Sequence, residues 1–380
     1  MKGRKAAVIL LAPALLCSSI ACRSVGAQGE SKSPVFPGKE WERIERPESA
    51  GYSSARLQAL RAWLASLDTT AMMVVVGGRS LFEYGDLKHL SYLASVRKSI
   101  LAILYGKYVE NGTIPLNKTL RELELTDVDG LLPQELEATI ENLITARSGV
   151  YHPASNAGDS SASAPPRGSQ RPGSYYLYNN WDFNAAGAVF EKLTGKDIYD
   201  ALQTDLAEPI GMQDFDRSRQ QKSGDAKRSQ FLAYHMWLST RDMARVGLLM
   251  LRGGRWHDRQ VVSREWTARI TGLVTPFHEM NPPPYRSLGT GNRWGYGCMW
   301  WVWDAPNSPG PFQGAFTGMG AGGQYITVLP QLDMVVAHKT DTQQMSALGS
   351  GKRRRAVSGT EYDSILRMLI AARCPGGVCE

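Results

Sequence analysis

Ala94-Ser95-Val96-Arg97-Lys98-Ser99-Ile100-Leu101 is the stretch on which the reading of this chain turns. It opens an apolar run, with Ile100, Leu101, Ile103 and Leu104, that closes at Asn111-Gly112, and this pattern predicts a helix over 96–111. A serine at such a helix start has free backbone N–H groups beside it and lies at the positive end of the helix dipole. Both stabilise a developing oxyanion. A residue three positions later lies on the same face, so Lys98 can reach back to the Ser95 hydroxyl. Ser95-Val96-Arg97-Lys98 is also the one Ser-x-x-Lys in the chain. For Lys98 to serve as the base for Ser95, an amine with an ordinary pKa of about 10.4 must come near neutrality. That takes about 4 kcal/mol, supplied by burial and neighbouring positive charge.

A second motif lies about eighty residues on. Tyr178-Asn179-Asn180 follows Pro172-Gly173-Ser174-Tyr175-Tyr176 and precedes Trp181-Asp182-Phe183-Asn184-Ala185-Ala186-Gly187, which reads as a helix over 181–193. Ser-x-x-Lys followed by Tyr-x-Asn in this setting resembles the β-lactamase-related serine hydrolases: class C β-lactamases, penicillin-binding proteins and, more closely, the esterases and 6-aminohexanoate-dimer hydrolases. Ala138 to Gly149, Leu238 to Arg245 and the stretch 294–301, expected as a core strand, resemble further landmarks of that family in order, so the resemblance spans about 51–373. It implies Ser95 as nucleophile, Lys98 as its base, Tyr178 as proton relay to the leaving group, and Asn180 as a contact to the acyl side of the substrate. Ala321 is expected to give the second oxyanion N–H, with Gly322 beside it. His235 is a weaker substrate-contact candidate, since a packed histidine is the favoured reading there.

One departure bears on substrate. The family's β-lactamases and peptidases carry Lys-Thr-Gly on the strand beside the pocket, and its cation holds a substrate carboxylate. The matching stretch, 316–324, has no Lys, Arg or His. The expectation is therefore hydrolysis of an ester or amide without that anchor. A β-lactamase or D-alanyl-D-alanine carboxypeptidase is the alternative, and a non-catalytic binding protein that kept the fold is a more distant one. No cofactor and no metal are implied.

The flanks predict the architecture. A helix with Leu57, Leu60, Leu64 and Leu67 precedes strand-like runs 72–76 and 80–84 around Gly77-Gly78. Strand-like runs 324–329 and 333–338 precede a helix expected to be capped by Thr360 with Asp363. One antiparallel sheet built from both ends of the chain follows, an α/β (α+β) fold of the β-lactamase/transpeptidase type. The sheet lobe is assigned 51–92 and 285–373, and a mainly helical lobe 93–284. Further helices are expected at 137–146, 241–251 and 264–270. The Ser-, Ala-, Pro- and Gly-rich stretch 152–174 reads as a long loop.

The 380 residues are 43% hydrophobic and 21% charged, in the range of globular proteins. Lys2, Arg4 and Lys5 before the apolar run 6–16, with Val25-Gly26-Ala27 after it, read as a signal peptide over 1–27, and 28–50 as a linker. Ser19-Ile20-Ala21-Cys22 resembles a lipoprotein box, the alternative in which Cys22 is lipidated and anchors the chain to a membrane. Either route exports the protein, to the periplasm or the medium. The formal charge of +7 includes Lys2, Arg4, Lys5 and Arg23, which leave with the leader. The one dense basic run, Lys352-Arg353-Arg354-Arg355, has no interleaved aromatic residues, so no nucleic-acid partner is expected. Cys374 and Cys379, in the tail 374–380, form a disulfide candidate in an oxidising compartment. There is no Gly-x-Ser-x-Gly, Gly-Lys-Ser/Thr or His-Glu-x-x-His.

Overall fold

The computed structural model describes residue 3 and residues 34–281, 293–305, 309–346, 351–374, 376 and 379. The rest of the leader, Cys22 and the start of the linker lie outside the described residues. Helix α1 (Ser54–Leu64) starts where the Ser53 side chain accepts from the Arg56 N–H, and it buries Leu57, Leu60 and Leu64 along one stripe. Strands β1 (Ala71–Val76) and β2 (Arg79–Gly85) follow, joined at Gly77 and Gly78 with φ of +60° and +81°. Such angles suit glycine, which has no Cβ to collide with the carbonyl. β3 (Ser91–Tyr92) then leads into α2 (Val96–Glu110).

The middle of the chain carries α3 (Ile140–Ile144), α4 (Asn180–Thr194) and α5 (Ile198–Ala201), then the short strands β4 (Gln221–Ser223), β5 (Ala233–His235) and β6 (Trp237–Leu238). After these come α6 (Thr240–Leu251), β7 (Arg255–Trp256), β8 (Arg259–Gln260) and α7 (Arg264–Ile270). The last third supplies β9 (Trp294–Tyr296), β10 (Trp301–Trp303), β11 (Phe316–Gly320), β12 (Gln324–Leu329), β13 (Met334–Lys339) and α8 (Gly359–Ala371).

Seven strands form one antiparallel sheet in the order β2-β1-β13-β12-β11-β10-β9, so the first and last strands of the chain's two ends meet at β1–β13, as expected from the flanks. On one face Tyr362 of α8 stacks on Tyr325 of β12, with ring centroids 3.7 Å apart, and its hydroxyl is bonded to Thr327. On the other face α6 lies against β1, β12 and β13. Because both faces are covered, β1, β12 and β13 read as near-continuous apolar runs rather than alternating ones.

Several sequence expectations are corrected. Helix α6, assigned to the helical lobe, packs on the sheet, because Gly247 lets its backbone lie against Val335 and Ile326. The stretch 294–301 is not one strand: β9 and β10 pair antiparallel across a turn containing Met299 at φ +59°, and Cys298 is buried in that turn. The cap of α8 is Ser358 with Glu361, a reciprocal capping box, instead of Thr360 with Asp363. The helix expected over 137–146 is reduced to α3, since Thr139 and Asn142 cap it late and the chain turns at Ala146, φ +57°. Linker residues 34–50 pack on the sheet edge where described: Ile44 and Ser80 exchange strand-like bonds through Ile44 N–H to Ser80 O and Ser80 N–H to Glu42 O. Cys374 and Cys379 are joined as the spacing suggested, and the Cys374 N–H donates to Gly51 O. Arg354 and Arg355 of the basic run bond the Asp68 and Thr69 carbonyls and the Glu361 carboxylate.

A Cβ at Gly247 would come within 2.3 Å of Val335 Cγ1. Gly247→Val is therefore expected to lower unfolding free energy by about 2–3 kcal/mol in urea titration. Gly38→Ala, whose Cβ meets nothing within 4 Å, should leave it unchanged.

Candidate active site

Ser95 and Lys98 reach each other because of how α2 begins. Leu93 N–H pairs with Met236 O, and β3 pairs with β6, so the chain is held in place just before the helix. Ala94 then takes φ +48°, a left-handed conformation costly for a residue with a Cβ, and turns the chain so that Ser95 stands at the N-cap. Ser95 is half-buried, while Lys98 is fully buried one turn further in.

The Lys98 amine is the hub. Its Nζ lies 3.0 Å from Ser95 Oγ, 2.6 Å from Tyr178 Oη and 2.8 Å from Asn180 Oδ1. All three sit where an ammonium donates, and a neutral amine accepts from Ser95 instead. Nζ also lies 4.2 Å from the centroid of the Tyr178 ring and 4.5 Å from that of Phe183. The Tyr178 ring is fixed by stacking on Trp301 at 5.7 Å and by the edge of Tyr296 at 6.0 Å.

Helix α4 presents Asn180 to the hub. Its N-cap is Asn179, whose side chain accepts from the Asp182 N–H. The Asn180 N–H donates to Asp159 Oδ2 at 2.6 Å, and its side-chain amide donates to Ala157 O at 3.0 Å. The long loop expected over 152–174 is thus tied to the site through Asn156, Ala157 and Asp159. Asp182 is completely buried; burial pushes its carboxyl up to about 8, against hydrogen bonds from Ser148 and Asn179. Burial also holds the Lys98 amine well below its usual range; Arg97 adds to this and Asp159 opposes it.

Strand β11 closes the other side. A Cβ on Gly320 would fall 2.4 Å from Leu93 O and 3.2 Å from Ser95 N, so only glycine lets the strand end pass this close to Ser95. The next amide is that of Ala321, at the exposed start of the turn 321–323. Among the described residues, neither Ser95 N–H nor Ala321 N–H donates to a backbone carbonyl of a turn or loop. Gly322, φ +85°, continues the turn, and its carbonyl accepts from Gln324 Nε2 at 3.4 Å.

The remaining candidates separate. His235 Nδ1 is 2.9 Å from Tyr92 Oη, and its ring packs on Tyr92 and Trp237 at the β3–β6 ribbon rather than on Lys98. Burial, and then Arg97, push its imidazole down to about 4. Outside those candidates, His152 is buried and bonded to the Val128 and Pro153 carbonyls, a packed residue. Among the described residues no group of three His, Cys, Asp or Glu is placed to hold a metal. Sequence reasoning missed Asp159 and Arg97. Arg97 had a visible signal: a charged residue inside an apolar helical run, flanked by Val96 and Ile100.

The chain is similar to known proteins over most of its length. A family model described as Beta-lactamase matches residues 60–358. The 6-aminohexanoate-dimer hydrolase of Paenarthrobacter ureafaciens is 26% identical over 353 residues, covering 84% of each chain. A Bacillus anthracis structure described as a 6-aminohexanoate-dimer hydrolase superposes with a TM-score of 0.61 at 21% identity, over 87% of this chain and 86% of that one. A family VIII carboxylesterase does so with a TM-score of 0.57 at 14% identity, over 88% of this chain and 100% of that one. At those identities the two structures speak to the fold alone. With the family model covering most of its length, the chain belongs to the Beta-lactamase family, whose members are serine hydrolases acting on esters, amides and lactams.

Proposed function

We propose that the protein hydrolyses a carboxylic ester or amide, lacking a recognition carboxylate, through an acyl-enzyme on Ser95. The observation that carries the reading is the single amine of Lys98 set between the Ser95 hydroxyl and the Tyr178 hydroxyl. Ser95 Oγ attacks the carbonyl carbon as its proton passes to Lys98 Nζ. The Ser95 and Ala321 N–H groups hold the resulting oxyanion. Collapse expels the alcohol or amine, which takes the proton through Tyr178. Water then attacks the ester on Ser95 in the reverse sense, returning the serine and releasing the acid. Asn180 orients the acyl side and, by accepting from Lys98, keeps its amine aimed at the other two groups.

The absence of Lys, Arg and His from 316–324 supports neutral substrates over β-lactams or D-alanyl peptides, whose carboxylate the family's Lys-Thr-Gly cation holds. Export with removal of the leader, or lipid anchoring at Cys22, belongs to the same reading, and the Cys374–Cys379 disulfide supports it, since such bonds persist in oxidising compartments.

A fluorophosphonate probe is expected to label the wild type and to leave Ser95→Ala unlabelled, read by intact mass. Equal labelling of both would overturn the assignment. Tyr178→Phe should lower kcat/KM on aryl esters by about 10²–10⁴-fold, the range for losing a general acid–base group, with the melting temperature little changed.

Lys98 accepts a proton only as the neutral amine. Burial lowers its pKa, so kcat/KM should rise with pH through that lowered pKa and level off below the ordinary lysine range. A rise delayed to about pH 10 would count against Lys98 as the base. Turnover of nitrocefin should stay well below that of p-nitrophenyl esters, and comparable rates would favour the β-lactamase alternative.

A further inference from the structure

Arg97 is the residue of α2 that the proposed chemistry leaves unused, and its setting is unusual. It is 2% exposed, yet no carboxylate pairs with it among the described residues. Its Nη2 donates to the neutral Asn184 Oδ1 at 3.0 Å, its guanidinium lies 4.3 Å from the centroid of the Tyr234 ring, and its buried Nη1 has no hydrogen-bond partner among the described residues. Room for this stack is made by Gly187 of α4, where a Cβ would fall 2.6 Å from the Tyr234 ring. Leaving a buried cation without a counter-ion costs several kcal/mol, which folding alone gives no reason to retain.

We propose that Arg97 supplies the positive charge that keeps Lys98 in its proton-accepting form. Lys98 is the next residue on the same buried turn. A fixed neighbouring cation penalises an ammonium and not an amine, and burial keeps that repulsion from being screened. An Asn at position 184, where an Asp would pair the guanidinium, leaves the field of Arg97 open toward its neighbours. The inference rests on Lys98 acting as the base of Ser95.

The other groups around the pair do not cancel this field. Facing Lys98 are Tyr178, Tyr296 behind it and Asp159, whose charge opposes that of Arg97. Asp182 of α4, pushed up to about 8 by burial, is mostly uncharged at neutral pH. Facing Arg97 are Tyr92 of β3, Tyr234 and His235 of β5 and Tyr199 of α5, and the imidazole, pushed down to about 4, is neutral there. Glu191 and Asp197 beyond Tyr199 are engaged by Lys222 and Arg217.

The test is the pH dependence of the acylation burst with a neutral p-nitrophenyl ester, for the full-length wild type and three variants. Removing the charge favours the Lys98 ammonium, so in Arg97→Met the acid limb should move to higher pH by about one unit. At pH values well below the midpoint of that limb the burst then slows about tenfold. Arg97→Lys, which keeps a cation, should stay within a few tenths of a unit of wild type. Asn184→Asp leaves Arg97 in place and gives it a counter-charge, and should move the limb in the same direction as Arg97→Met; it decides the matter if Arg97→Met does not fold. An acid limb unmoved in a folded Arg97→Met, or in Asn184→Asp where Arg97→Met does not fold, overturns the role of Arg97. A burst that survives in Ser95→Ala, or a folded wild type that neither turns over the ester nor takes the fluorophosphonate label, overturns the serine mechanism instead.

Discussion

The constraint on which the site depends is the burial of one amine. Lys98 is wholly enclosed, and its Nζ makes three contacts of 3.0 Å or less, to Ser95, Tyr178 and Asn180. Each of those groups comes from a different part of the construction. Ser95 stands at the start of α2, Tyr178 on the segment before α4, and Asn180 on the first turn of α4. A flexible ammonium in water would favour none of them. In a buried site the same amine fixes the spacing of all three, because leaving any of its polar partners unmet is costly.

The sheet holds the rest of the site to that amine. Pairing of β11 with β12 brings Gly320 against the Ser95 amide, and the β9–β10 turn sets Trp301 and Tyr296 around the Tyr178 ring. The polar loop after α3 is drawn in by hydrogen bonds from Asn180 and Asn184 to Asn156, Ala157 and Asp159. A segment that composition marks only as a loop therefore acts as one wall of the site, with an acid whose charge opposes that of Arg97 at Lys98.

Much of this was legible in the residues. Ser95 and Lys98 are close in sequence, so helical periodicity alone predicts their contact. The two ends of the sheet carry apolar runs bounded by Gly77-Gly78 and Pro330-Gln331, and their pairing follows from the symmetry of the order of elements. Less legible was everything that depends on which turn a short segment adopts. Trp294 to Trp301 is apolar throughout, and nothing in its period announces the reversal at Met299. His235 carries the right chemistry for a pocket, yet the pairing of β3 with β6 turns its ring to Tyr92.

Sequence by itself determined the chemistry available: one Ser-x-x-Lys, one Tyr-x-Asn and a glycine-rich strand entry without a cation. These are choices of residue type, and local periodicity fixes their nearest neighbours. Only the tertiary structure decided the electrostatics. Whether Lys98 is neutral, whether Asp182 holds its proton and whether Arg97 has a counter-ion all depend on solvent exclusion and on groups such as Asn184, Tyr234 and Asp159 from distant elements. Charge in a protein is set by surroundings in three dimensions, and those surroundings are assembled by packing that no linear motif encodes.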